Sequence, residues 1–279
     1  MHARDLPIIL LPVGPDDAAL DTCLAALDAS TPAGARVWLI DDAQAGPRSA
    51  RVIEHWIAHT KLEPDYTRRG RSIGESAHLA EALDICGDAD VVVLAGDAVP
   101  VPGWLNQLQA CFGRDGAIGT ATPWSNLGEI ASWPRLGDLN PLPDDPLRLA
   151  NALRAMSPVH PELPAAVGHA VLLRGRALRK AGGIDHASYG SWAAALSDLS
   201  LRLAGFGWRN VLCETAFVGR MAEGELQDGD QDALAVRWPE WYPRMAAMLM
   251  TDPLHALREQ LSECLITAEP LPPQTELFE

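Results

Sequence analysis

Between residues 7 and 121 five short extended runs alternate with four amphipathic stretches, and this rhythm constrains the fold more than any other property of the chain. The runs lie at residues 7–13, 35–40, 63–67, 91–94 and 117–121, and the helical stretches at 14–29, 47–58, 73–86 and 102–112. Leu20, Leu24 and Leu27 in the first stretch recur at helical spacing, as do Val52, Ile53, Trp56 and Ile57 in the second. That spacing gathers apolar side chains on one helix face. Strands covered on both faces read as unbroken aliphatic runs, as Val91-Val92-Val93-Leu94 does, and strand–helix alternation with short connections specifies a doubly wound, mainly parallel sheet. The expected class is α/β, Rossmann-like, with helices flanking the sheet.

Open sheets of this kind bind ligands just beyond the carboxyl ends of their strands, so acids at strand exits are the first candidates for function. Asp97 follows the run 91–94 and precedes a Pro-punctuated turn and a helix start at Pro102-Gly103-Trp104-Leu105. Asp41 and Asp42 follow the run 35–40. Arg68, Arg69 and Arg71 cluster after the third run, where Gly70 and Gly74 keep the backbone permissive and a helix begins near Ile73. Helix N-termini favour anions, and guanidinium forks match phosphate oxygens. Each feature has a plainer reading as well: the acids as turn caps, the arginines as a solvated run.

Composition narrows the partners. A net charge of −15 argues against a nucleic acid, whose phosphates need a concentrated positive field. Five scattered cysteines without a paired CxxC spacing favour reduced thiols over a disulfide framework or zinc site. Residues 1–13 lack a secretory signal pattern, and no stretch approaches the ~20 apolar residues that span a bilayer. A soluble, cytoplasmic chain is expected, compatible with peripheral contact at the inner membrane.

The second half is less regular. Residues 122–164 carry eight prolines, at 123, 134, 141, 143, 146, 158, 161 and 164, and read as a long functional loop or cover. Residues 165–173 form a β run, 175–181 a helix stopped by Gly182-Gly183, 198–204 an amphipathic helix, and 210–218 an extended segment. Helical patterning then returns around 232–250 and 253–264. His169, within its apolar run, reads as a core histidine.

Taken in order, four blocks resemble family-2 glycosyltransferases, which have the GT-A fold and use nucleotide-diphosphate sugars. They are Leu11-Pro12-Val13; Asp41-Asp42; Ala95-Gly96-Asp97 with Pro102-Gly103-Trp104-Leu105, at the family's metal-binding DxD; and Gly182-Gly183-Ile184-Asp185 with Ala195-Leu196-Ser197-Asp198-Leu199-Ser200-Leu201-Arg202 and Gly207-Trp208, at its acceptor-side block. The segment 237–243 also resembles bacterial members. The resemblance implies a GT-A domain over residues 1–218, with a nucleotide-binding half at 1–121 and an acceptor-side half at 122–218, followed by a helical tail at 219–279. It implies inverting transfer of a sugar to a glycan, lipid-linked or other hydroxyl acceptor. Val13, Asp41, Asp42, Arg69, Arg71 and Gly74 would bind nucleotide, Asp97 would hold Mg2+ or Mn2+, and Trp192 and His186 would meet the acceptor. Three departures from the family's pattern fall on the chemistry, one being the absence of its histidine after the last strand, near whose place Gly219-Arg220 stand. Ala95 replaces the first acid of the metal motif, and Ala195-Leu196 replace the Glu-Asp pair that carries the family's base. Asp198 is then the nearest remaining acid in the block and is taken as the base. The alternative is an inactive GT-A-like module that binds nucleotide or a partner protein. Self-association is compatible with either.

Overall fold

A computed structural model describes residues 6–222 and 227–268. Its strands are β1 (Ile8–Pro12), β2 (Arg36–Asp41), β3 (Glu63–Arg68), β4 (Val91–Leu94), β5 (Ala98–Pro100), β6 (Ile118–Trp124), β7 (Ala170–Leu173) and β8 (Arg209–Arg220). Its helices are α1 (Asp17–Ser30), α2 (Pro47–His59), α3 (Glu75–Cys86), α4 (Trp104–Arg114), α5 (Pro146–Ala155), α6 (Gly175–Lys180), α7 (Trp192–Gly205), α8 (Asp230–Arg237), α9 (Trp241–Thr251) and α10 (His255–Thr267). The strands form one sheet in the order β3-β2-β1-β4-β7-β6-β8-β5. β3, β2, β1 and β4 are parallel neighbours, β6 and β8 are parallel, β7 runs antiparallel between β4 and β6, and β5 runs antiparallel to β8.

Register explains why the central strands are apolar throughout. Ile9 pairs with Val37 on one side and Val92 on the other. Ile9, Leu11, Val37, Leu39, Val92 and Leu94 face one layer, built from Leu20, Leu24, Leu27, Ile53, Trp56 and Leu108 of α1, α2 and α4. The alternate residues, Leu10, Ile40, Val91 and Val93, face Leu79, Leu83, Leu196 and Leu199 of α3 and α7. With ~1.5–3 kcal/mol from each fully buried aliphatic side chain, a one-residue slip would cost both layers at once.

The segment 122–164 holds more order than its prolines suggest. It contains the end of β6, a short 3-10 turn (Glu129–Ala131) and α5. Pro146 occupies the first turn of α5, where its missing N–H costs nothing, and the Asp145 carboxylate caps the helix by accepting from Arg148 N at 2.9 Å. Other boundaries also move. α7 begins at Trp192, with the Ser191 hydroxyl as its cap, and the pattern at 232–250 resolves into α8 and α9 around Pro239. Of the run at 165–173, only Ala170–Leu173 is strand.

Two buried polar anchors fasten the tail. The fully buried Asp198 carboxylate accepts from Arg202 Nε at 2.7 Å and Trp238 Nε1 at 2.8 Å, and pairs with Arg237 Nε at 3.2 Å. Arg202 in turn donates to Gly183 O at 2.8 Å, tying in the turn after α6. Further along, buried Arg258 of α10 donates to Ser132 O at 2.6 Å and Ile130 O at 2.9 Å, with its guanidinium 5.3 Å from the Trp124 ring centroid. Removing one partner of a buried ion pair typically costs ~3–5 kcal/mol. Asp198→Ala is therefore expected to lower unfolding stability by roughly that amount in urea titrations. An unchanged midpoint would show that Asp198 does not anchor the tail.

Candidate functional site

A cleft of about 970 Å3 opens at the carboxyl ends of β1 and β4, where the strand order turns back on itself and where open α/β sheets hold ligands. Its floor is Pro12-Val13-Gly14 and Ala95-Gly96-Asp97. A Cβ at Gly96 would lie 2.8 Å from Pro12 O, so glycine lets the two strand exits approach this closely.

One wall is organised by Asp42. Its carboxylate accepts from Ser72 Oγ at 2.5 Å, Ile73 N at 3.0 Å and Gly74 N at 2.9 Å. Burial alone would raise this carboxyl, but the three hydrogen bonds outweigh it and hold the group below the usual carboxylate range. The turn they shape needs φ of 97° at Gly74, a left-handed conformation natural to glycine. α3 starts at the next residue and presents Glu75 and His78 to the cleft.

The neighbouring Asp41 points away from the cleft. It is fully buried and accepts from Gln44 N, Ala45 N and Tyr66 Oη at 2.7, 3.1 and 2.9 Å. The expected nucleotide role thus separates, with Asp42 facing the cleft and Asp41 bracing the turn behind it. The arginine run also lies outside the cleft lining. Arg68 donates to Ala45 O at 2.9 Å, Arg69 pairs with Glu81 of α3, and Arg71 is exposed. Arg69 Nε also lies 3.9 Å from Asp42 Oδ1 and Arg68 Nε 3.4 Å from Asp41 Oδ2, so both brace the acids from behind the wall.

The opposite wall comes from residues 166–169 and the first turn of α7. Of the two residues expected at the acceptor, Trp192 lines this wall, whereas His186 is exposed outside the lining. Asp198 does not reach the cleft, because its carboxylate is consumed by Arg202, Trp238 and Arg237. A proton-accepting role for it is therefore withdrawn. Ala195 and Leu196 are fully buried in the layer beneath α7.

The acid that does reach this wall is Glu75, which the sequence reading missed. Its Oε2 accepts the Trp192 backbone N–H at 2.8 Å, so a carboxylate at the start of α3 caps the start of α7 where the two helices meet. Burial raises the Glu75 carboxyl and the charge of Asp230 adds to the rise, only partly offset by the Trp192 N–H and Arg220. Asp230, at the start of α8, accepts from Gly190 N and Ser191 N, each at 2.9 Å. The signal for Glu75 was its place as the first helical residue after a glycine turn. Nothing local in sequence marks Asp230.

Asp97 lies on the floor but is engaged. Arg220 Nε approaches its two oxygens at 3.0 and 3.3 Å, Arg220 Nη2 lies 2.9 Å from Oδ1, and Ala222 N donates to Oδ2 at 2.9 Å. A hard divalent cation wants several open oxygen ligands. Here the first acid of the motif is Ala95, both oxygens of the second are taken, and among the described residues no three His, Cys, Asp or Glu side chains converge to hold a metal. The donor set does not fit the expected Mg2+ or Mn2+.

No family model and no curated protein matches the sequence. Solved structures do match across nearly the whole chain. The mannosyltransferase PcManGT from Pyrobaculum calidifontis, in complex with GDP-Man and Mn2+, is 14% identical, with a TM-score of 0.55 over 94% of this chain and 72% of its own. GalNAc-T7 with UDP, GalNAc and Mn2+ is 15% identical, with a TM-score of 0.61 over 92% of this chain and 55% of its own. TarS from S. aureus (1–349), in complex with UDP-GlcNAc, is 11% identical, with a TM-score of 0.54 over 92% and 71%. The fold is GT-A. Within this GT-A sheet the described residues contain no helix long and apolar enough to cross a membrane.

Behind the GT-A floor, His169 donates from Nε2 to Pro123 O at 3.1 Å, as a core histidine should. Burial, reinforced by the Arg220 charge, lowers its pKa from 6.5 to about 3. The unfolded chain then takes up a proton between those two values while the folded chain does not. Stability should fall as pH drops from 6.5 towards 3, by up to ~1.4 kcal/mol per pH unit. His169→Gln should flatten this limb in urea midpoints taken across pH 4–7. A limb as steep as the wild type's would assign the effect to another group.

Proposed function

We propose that the chain is a glycosyltransferase that binds a nucleotide-diphosphate sugar in the β1/β4 cleft and transfers the sugar, with inversion, to a hydroxyl acceptor. One observation carries the reading: in a GT-A cleft whose usual base position is filled by buried Leu196, a different carboxylate, Glu75, is held at the start of α7. The nucleoside lies between Val13 and the Asp42–Gly74 wall, and the diphosphate runs over the Gly96-Asp97 floor. The acceptor enters beside Trp192, beneath an apolar roof of Leu234, Trp241 and Met245 that suits a glycan or lipid-linked chain. Residues 1–121 supply the nucleotide half in this reading, 122–218 the acceptor half, and the tail closes the top.

The chemistry then follows. The acceptor oxygen attacks the anomeric carbon from the face opposite the diphosphate, the bond to the diphosphate oxygen breaks, and Glu75 takes the hydroxyl proton. Glu75 suits the step because one oxygen is fixed by the Trp192 N–H while burial raises the carboxylate's affinity for the proton it takes.

Differential scanning fluorimetry with UDP, GDP, dTDP and ADP tests the first half of the proposal. A ligand at a hundred times its Kd adds ~2.7 kcal/mol, a melting shift of roughly 5 °C for a chain of this size, and Asp42→Ala should abolish it. Absence of any shift across the panel would overturn the reading.

Glu75→Gln tests the second half. It should retain that shift yet lower transfer by about 10²–10⁴-fold. Wild-type turnover should also fall off on the acid side at a higher pH than an ordinary carboxylate would give. Binding without turnover in the wild type would favour the inactive module, a reading supported by the loss of the Glu-Asp pair to Ala195-Leu196.

A further inference from the structure

Of the described residues lining the cleft, Arg220 is the one Lys or Arg. Its position is imposed from three directions. The antiparallel register sets Arg220 opposite Ala98, one residue beyond Asp97. Asn126 clasps its backbone on both sides, with Oδ1 accepting from Arg220 N at 2.7 Å and Nδ2 donating to Arg220 O at 3.0 Å. Asp97 then holds the guanidinium through Nε and Nη2. The side chain is 16% exposed and cannot wander far from this spot.

Resting on the nucleotide-sugar reading, we propose that Arg220 is the built-in cation of this cleft and that a nucleoside diphosphate binds here without a divalent metal. A metal ion at Asp97 would have to displace a bidentate guanidinium and a backbone N–H, and would still lack the acid that Ala95 replaces. Arginine presents five N–H donors in a planar fork that matches phosphate oxygens. Asp97 engages Nε and one edge of Nη2, and Nη1 donates to no described residue. Arg220 lines the cleft, and in this proposal the outer edge of the fork meets the anion while the inner edge keeps its carboxylate. Among the other acids of the lining, Asp42 and Asp230 oppose this less than their charge suggests, because each already accepts from backbone N–H groups. Arg220 was legible in the sequence only as the residue near the point where the resembling family carries a histidine. Its pairing with Asp97 spans 123 positions.

Isothermal titration calorimetry on the full chain decides the matter, with UDP, GDP, dTDP and ADP titrated in EDTA and again with saturating MnCl2. The expected result is one nucleoside diphosphate binding equally tightly in both buffers, with Arg220→Met weakening it roughly ten- to hundredfold, the loss expected for a charge-assisted hydrogen bond. Asp97→Asn separates the two roles and does not depend on the Arg220 variant folding. If Asp97 only positions Arg220, neutralising it should tighten binding in EDTA. If it ligates a metal, neutralising it should weaken binding in Mn2+. Binding that needs Mn2+, or Mn2+ alone binding in a manner lost in Asp97→Asn, overturns this proposal and leaves the nucleotide-sugar reading intact. No binding in either buffer overturns both.

Discussion

The central strands of this sheet are covered on both faces, so no functional group can project from the middle of a strand without being buried in a hydrocarbon layer. Ile9 and Val92 pack toward α1 and α4 while Leu10 and Val93 pack toward α3 and α7. Polar chemistry is thereby forced to the rim, and within the parallel run β3-β2-β1-β4 the β1/β4 pair is the one whose strands do not follow each other in sequence. The close passage of Gly96 over Pro12 O sets the depth of the resulting floor. Every residue assigned a ligand-facing role hangs from that floor or from an element packed beside it.

Charge in the cleft has been redistributed relative to the family that the chain resembles. The acids at positions 95, 195 and 196 are absent, and charged side chains reach the cleft from elsewhere: Glu75 from the start of α3 and Arg220 from the end of β8. Both are held by backbone contacts as well as side chains, through the Trp192 N–H in one case and the Asn126 clasp in the other. Such two-sided support is what preorganisation requires, since a charged group free to rotate would lose most of its effect on a bound anion or a leaving proton.

Periodicity made the first half of the fold legible, because a strand buried on both faces and a helix buried on one leave different apolar spacings. β4 was read to the residue and α2 to within one. Strand exits likewise made Asp42 and Asp97 visible as residues of the rim, and the family resemblance added Val13. The failures share one cause, which is that the deciding partner lies far away in sequence. Asp198 looked like a free acid until Trp238 and Arg237 were seen to occupy it, and Asp97 looked open until Arg220 was placed beside it. α5 was hidden for a different reason: Pro146 was counted with the loop prolines, although the preceding Asp145 marks it as a helix start.

The tail has a further consequence. It supplies the apolar ceiling of the cleft through Leu234 and Trp241, and its Arg237 and Trp238 neutralise and solvate the Asp198 carboxylate inside the main body. A chain truncated after β8 would lose the cleft's apolar ceiling and, in the same stroke, confine an anion with only Arg202 to answer it. Shedding the tail would therefore weaken the body it leaves behind.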